Sequence, residues 1–191
     1  ATGDTHVVAL VFGQNTRASC SGVPLAPLIV VAAAHCLSNS NYVYSSESYV
    51  PNGLSVATPG ADLTKDSVSQ RSSVARVALT PGFTDKSFSD DIAFYFLNSP
   101  LNGATYLPIA GLEDLAAIKK SGDAITHIGY GYIAPNKVED YKPHLISLKS
   151  SPFSSSRFGY FSPSEEITIS SDETPGNALC VHDSGGPFIS K

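Results

Sequence analysis

Cys180-Val181-His182-Asp183-Ser184-Gly185-Gly186-Pro187-Phe188 sets a hydroxyl between an acid and a pair of glycines. A serine hydroxyl is a weak nucleophile at neutral pH and works only beside a base. Glycine allows a tight turn and the close approach of a substrate. The same residue types also make an ordinary surface turn. On this stretch alone the two readings stand level. The rest of the chain must decide, by supplying or lacking a base and an acid to orient it.

Two upstream stretches supply both. Val30-Val31-Ala32-Ala33-Ala34-His35-Cys36 is an apolar run that ends in a histidine beside a cysteine. Ser89-Asp90-Asp91-Ile92-Ala93-Phe94-Tyr95-Phe96-Leu97 is an acidic pair leading into a strand-like run. A lone histidine after an apolar run is ordinarily a satisfied core residue, but here the cysteine and the flanking residues weigh the other way. Together the three stretches resemble the trypsin/chymotrypsin family of serine proteases. That family carries Ala-Ala-His-Cys, Asp-Ile-Ala-Leu and Gly-Asp-Ser-Gly-Gly-Pro in this order, and Gly129-Tyr130-Gly131 resembles its Gly-Trp-Gly. The chain order His, Asp, Ser is that of chymotrypsin-type triads.

The resemblance implies a role for each residue. Ser184 is the expected nucleophile, His35 its base, and Asp91 the acid that holds the imidazole in the right tautomer. Asp91 is preferred to Asp90 because the family's acid directly precedes Ile-Ala; Asp90 is then a solvated neighbour. The oxyanion hole implied is the pair of backbone N–H groups of Ser184 and His182. The family has glycine where this chain has His182, and glycine usually marks a conformation that a β-carbon disfavours. The expectation is a misformed hole and slow peptide hydrolysis until the loop is reordered. Six residues before the nucleophile, where trypsin places an Asp, stands Ala178, which implies a pocket floor without that charge and no strong preference for Arg or Lys.

The resemblance also implies a Cys20–Cys36 disulfide, and so a secreted or periplasmic protein. Cys180 is left over from the three cysteines. It is either a reactive thiol or, as the family implies, half of a disulfide whose partner lies past Lys191. In the family, activation inserts a new N-terminus, whose ammonium pairs with the acid before the nucleophile, here Asp183. This chain starts about eight residues after that end. The expectation is therefore a processed or zymogen-like form, completed by a second chain or a further C-terminal segment.

Composition agrees with an all-β protein. The charged fraction is 15%, and Gly, Pro and Ser are frequent, as in chains of many short strands and turns. The fold expected is two packed antiparallel six-stranded barrels, the second incomplete: residues 1–103 with His35 and Asp91, and residues 104–191 with Ser184, within one protease domain spanning 1–191. A net charge of −5 disfavours nucleic acid or an anionic membrane as partner. No apolar run approaches the roughly eighteen residues of a membrane helix. The absence of methionine implies that the native start is not Ala1.

Along the chain, strands are expected at Val7–Phe12, Ser19–Gly22, Leu28–Ala33, Tyr42–Tyr44, Leu54–Ala57 and Ser67–Leu79, the last with Val74, Val77 and Leu79 inward. Ile92–Leu97 and Ala124–Gly131 follow, with a helical turn at Leu112–Lys120 between them. Residues 147–176 are Ser- and Pro-rich, yet Phe153, Phe158, Tyr160, Phe161, Ile167 and Ile169 supply apolar surface for the second barrel. His6, His127 and His144 sit in no motif and read as ordinary core or surface histidines, and no pair of them has metal-ligand spacing. Neither cofactor nor metal is expected. The function expected is a serine endopeptidase acting on protein or peptide substrates. A protease-fold binding protein without useful activity stands second, and an esterase third.

Overall fold

Val7-Val8-Ala9-Leu10-Val11 is apolar at every position because it is buried on both faces. The computed structural model describes residues 4–40, 48–49, 52–65, 70–83, 90–122, 124–132, 141–150, 169–170, 179 and 181–190. The first strand, β1 (Val8–Phe12), pairs with β2 (Cys20–Ala26) on one side and β5 (Leu54–Val56) on the other. β2 continues to β3 (Ile29–Ala32), β3 to β7 (Ala93–Leu97), β7 to β6 (Ser72–Leu79), and β6 returns to β5. The result is a closed, antiparallel six-stranded barrel, with β4 (Ser48–Tyr49) added outside on β6. Val8, Leu10, Val30, Val74, Val77, Tyr95 and Leu97 fill it.

The second unit is an antiparallel sheet in the order β10 (Ile169–Ser170), β9 (His144–Ser150), β8 (Ala124–Gly129), β11 (Phe188–Ile189). It is a partial sheet beside a closed barrel, as the all-β, two-barrel reading requires. The other face of β1 joins the two units. Val7, Ala9 and Val11 pack with Leu63, Ile128 and Tyr130. Polar contacts reinforce the seam: the Leu63 N–H donates to the Tyr141 carbonyl at 2.7 Å, and the Tyr130 hydroxyl donates to the Ala61 carbonyl at 3.1 Å. Lys142 reaches Asp62 at 3.4 Å. The Thr64 hydroxyl, with smaller help from its amide and from Lys142, holds the Asp62 carboxyl below its usual value.

Two strands depart from their expected form, each for a local reason. β2 does not stop at Gly22 but runs through Pro24 to Ala26. The register shifts between Pro24 and Ala26, and such an irregularity is where a strand tolerates a residue with no N–H to donate. In β6, Val74 and Val77 are both buried although three apart, because the pairing with β7 slips between Val74 and Arg76. One extra residue there resets the alternation. Leu79 is only half-buried and packs at the edge of the core.

The helical turn is a full helix, α1 (Leu112–Ser121). The Asp114 carboxylate accepts the Gly111 N–H at 2.8 Å, and Gly122, at φ 66°, closes the end on the Ile118 carbonyl. No residue of α1 is buried. The expected strand at Tyr42–Tyr44 and the apolar residues Phe153, Phe158, Tyr160, Phe161 and Ile167 lie outside the described residues.

Cys20 and Cys36 form a disulfide that ties the start of β2 to the 3-10 helix at Ala34–Ser40. Its sequence separation is 16. Opening a loop of that size is expected to lower the unfolding free energy by about 3 kcal/mol. Urea unfolding of the Cys20→Ala, Cys36→Ala protein against its oxidised parent measures this; coincident midpoints would show that the barrel holds this corner unaided.

Candidate active site

The register of β3 and β7 brings the histidine to the acid. Ala32 pairs with Ala93 at the end of β3 and the start of β7. His35 therefore follows one strand end and Asp91 precedes its neighbour. The His35 N–H donates to Asp91 Oδ1 at 2.8 Å, and His35 Nδ1 lies 2.6 Å from Asp91 Oδ2. A carboxylate that close requires the ring hydrogen on Nδ1. The lone pair on Nε2 is then the one that can accept a proton. Both side chains are part-buried, at 29% and 22% exposure, so the pair has a protein side and an open side. Asp90 instead adopts φ 55° and accepts the Ile92 N–H at 2.7 Å. Its carboxylate lies by Gly82, not by His35.

Segment 181–186 is seated between the two units. The Ser184 carbonyl accepts the Ser21 N–H at 3.0 Å and lies 3.9 Å from Cys36 Sγ, one residue along from His35. Gly185, at φ 83°, turns so close to the first barrel that a β-carbon there would lie 2.5 Å from the Ser21 carbonyl oxygen and 2.8 Å from the Ala33 nitrogen. The Ser21 hydroxyl donates to the His182 carbonyl at 2.9 Å and accepts the Tyr130 N–H at 2.9 Å. One buried residue of β2 thus grips both the loop and the end of β8.

Asp183 turns the other way, into the second sheet, and is buried. The Gly131 N–H donates to its Oδ1 at 2.8 Å. A β-carbon at Gly129 or at Gly131 would collide with this carboxylate. That is the physical reason for glycine on both sides of Tyr130.

At His182 a β-carbon stands where the family has glycine, and its ring finds local partners. The residue adopts the left-handed region, φ 79°, and its ring is anchored. Nδ1 lies 3.0 Å from the Ser19 carbonyl oxygen, Nε2 3.3 Å from the Tyr132 hydroxyl, and the two rings meet edge to face. The Tyr132 N–H donates to the Val181 carbonyl at 3.2 Å. In a trans peptide the next N–H points the opposite way, so the His182 N–H is directed away from Tyr132. Ala178 and Cys180 lie outside the described residues.

The family model described as Trypsin matches residues 2–191. The chain belongs to the trypsin family. Among curated relatives, Trypsin alpha-4 of Lucilia cuprina is 29% identical over 175 residues and Trypsin alpha of Drosophila erecta 30% identical over 176. Each alignment covers 90% of this chain, which spans 63% of the length of either relative. Among solved structures, neuropsin, a serine protease expressed in the limbic system of mouse brain, superposes with a TM-score of 0.69 at 20% identity. The match covers 97% of this chain and 77% of that one, and it shows the fold. A chain of the trypsin family is thus seen with an imidazole–carboxylate pair on its first barrel and a serine loop seated beside it.

Three contributors escaped the sequence reading. Ser21 carried no motif, and its role appears only when β2 and the 181–186 loop meet. His127 and His144 had a partial signal. His127 and Gly129 alternate on one face of β8, and Gly129 pairs with His144 on β9. Strand alternation and direct pairing put all three on the same face, the face that receives Asp183.

The anchoring of His182 gives an ordering of variants. A left-handed non-glycine residue costs about 1–2 kcal/mol, and each ring hydrogen bond returns about 1 kcal/mol. His182→Ala keeps the strain and loses the bonds, and is expected to destabilise by about 1–2 kcal/mol. His182→Gly loses both and should stay within about 1 kcal/mol of the parent. Denaturant unfolding of the three proteins checks this; an alanine variant more stable than the glycine variant would refute the anchored-ring account.

Proposed function

We propose that the chain is a secreted serine endopeptidase that hydrolyses peptide bonds through Ser184, His35 and Asp91. The observation that carries this is the two-point grip of Asp91 on His35, with the Ser184 backbone docked on the adjoining disulfide. Ser184 Oγ attacks the scissile carbonyl, and its proton passes to His35 Nε2. Asp91 holds the resulting imidazolium. The same proton goes to the leaving amine, and water, activated by His35, releases the acyl group from Ser184. The backbone N–H groups of Ser184 and His182 form the oxyanion hole, an assignment that the clamped Val181 carbonyl supports. Ala178, six residues before Ser184 in sequence, brings no carboxylate to pair with a basic side chain of the substrate. No step needs a cofactor. The Cys20–Cys36 disulfide supports an oxidising, extracytoplasmic setting.

A fluorophosphonate probe should label the folded protein at Ser184, located by peptide mass spectrometry. Asp91→Asn should slow turnover on a peptide substrate about ten-thousandfold, through the wrong His35 tautomer. Labelling that begins only after limited proteolysis identifies a zymogen-like form. A folded protein that never labels removes the enzyme reading and leaves a protease-fold binding protein, the alternative that the left-handed His182 favours.

A further inference from the structure

His182 stands at φ 79°, a left-handed conformation that glycine adopts freely and a residue with a β-carbon resists. Tyr132, the residue after Gly129-Tyr130-Gly131, braces it from two directions. Its N–H donates to the Val181 carbonyl at 3.2 Å, and its hydroxyl lies 3.3 Å from His182 Nε2. The Ser19 carbonyl, 3.0 Å from Nδ1, can only accept. In the neutral ring the hydrogen therefore sits on Nδ1, and the Tyr132 hydroxyl donates to Nε2. The two rings meet edge to face, with 5.0 Å between centroids. From the first barrel, the Ser21 hydroxyl donates to the His182 carbonyl at 2.9 Å. Both ring nitrogens and the carbonyls of residues 181 and 182 are thus engaged. Among the described residues, the His182 N–H is left without a hydrogen-bond partner. Val181 beside it is 63% exposed, so this peptide borders the open side of the loop.

We infer that Tyr132 is a positioning residue that holds the His182 N–H in line for the oxyanion, bracing a histidine in a turn that glycine would make unaided. The inference rests on the proposed reaction at Ser184. Relaxation of residue 182 toward an ordinary negative φ would rotate the 181–182 peptide and swing its N–H out of the site. That rotation breaks the Tyr132 bond to the Val181 carbonyl and pulls the ring from Tyr132 and Ser19 together. Glycine at position 182 needs no such brace, because positive φ carries no steric cost for it. The Tyr132 hydroxyl therefore matters only while residue 182 carries the ring it bonds. It acts through His182, not on the reacting atoms.

A double-mutant cycle of Tyr132→Phe and His182→Gly in the full chain tests this. It is read by the rate of fluorophosphonate labelling, on whichever form labels, before or after limited proteolysis. Ser184 displaces fluoride from the probe, and the phosphoryl oxygen takes the place of the oxyanion. Tyr132→Phe keeps the ring and the N–H, and should slow labelling about five- to tenfold, the effect of one hydrogen bond. In the His182→Gly background the same change should alter the rate by less than about twofold. His182→Ala, with a β-carbon and no ring, should label more slowly than either the parent or the glycine variant. Urea unfolding of the same proteins shows that each is folded while it labels. Coupling seen in unfolding but not in labelling overturns the inference and leaves the contact merely structural. Equal slowing by Tyr132→Phe in both backgrounds overturns it too. So does a glycine variant that labels far faster than the parent, since the hole would then be misformed with the brace in place. A folded parent that labels in neither form removes the reaction at Ser184 and this inference with it, an outcome distinct from labelling without coupling.

Discussion

Ser21 is the joint on which the site depends. Its N–H holds the Ser184 carbonyl, and its hydroxyl donates to His182 while accepting from Tyr130. It is fully buried, so each bond replaces one that water would otherwise supply, and losing any of them strands a polar group. One side chain thereby sets the distance between the first barrel, the serine loop and the end of β8. The disulfide from the neighbouring Cys20 to Cys36 fixes the same corner covalently, next to His35.

Around that joint, each half of the site is built by a different kind of constraint. His35 and Asp91 meet because two antiparallel strands end together, and strand register is strongly specified wherever a face is buried. The serine loop has no such ladder. It is positioned by exclusion: Gly185 lies against β2 and β3, and Asp183 fills the space left empty at Gly129 and Gly131. A loop wedged in this way tolerates little movement. His127 and His144 border that acid from two strands, which ties the electrostatics of the second sheet to the geometry of the first.

The motifs at His35, Asp91 and Ser184 were legible in the sequence because the chemistry demands particular residue types in a particular order, and short flanking runs travel with them. The all-β character was legible from turn residues and apolar runs, and the closed barrel and partial sheet agree with it. The exact alternation within β6 and the extent of β2 were not. A bulge, or a proline carried at an irregularity, leaves no trace in the local pattern until the partner strand is present.

What the sequence by itself determined is the family and the identity of the reactive candidates, since both reside in contiguous stretches. Only the tertiary structure decided how they are held. Ser21 meets His182 and Ser184 from more than 160 residues away, and no periodicity encodes so distant a contact. His127 and His144 looked like unremarkable histidines because nothing near them in sequence is acidic in a motif. Pairing of β8 with β9, and the fold of the loop onto both, places them against Asp183. Burial then raises the value of each polar contact there, and burial is a property of the assembled fold rather than of any segment.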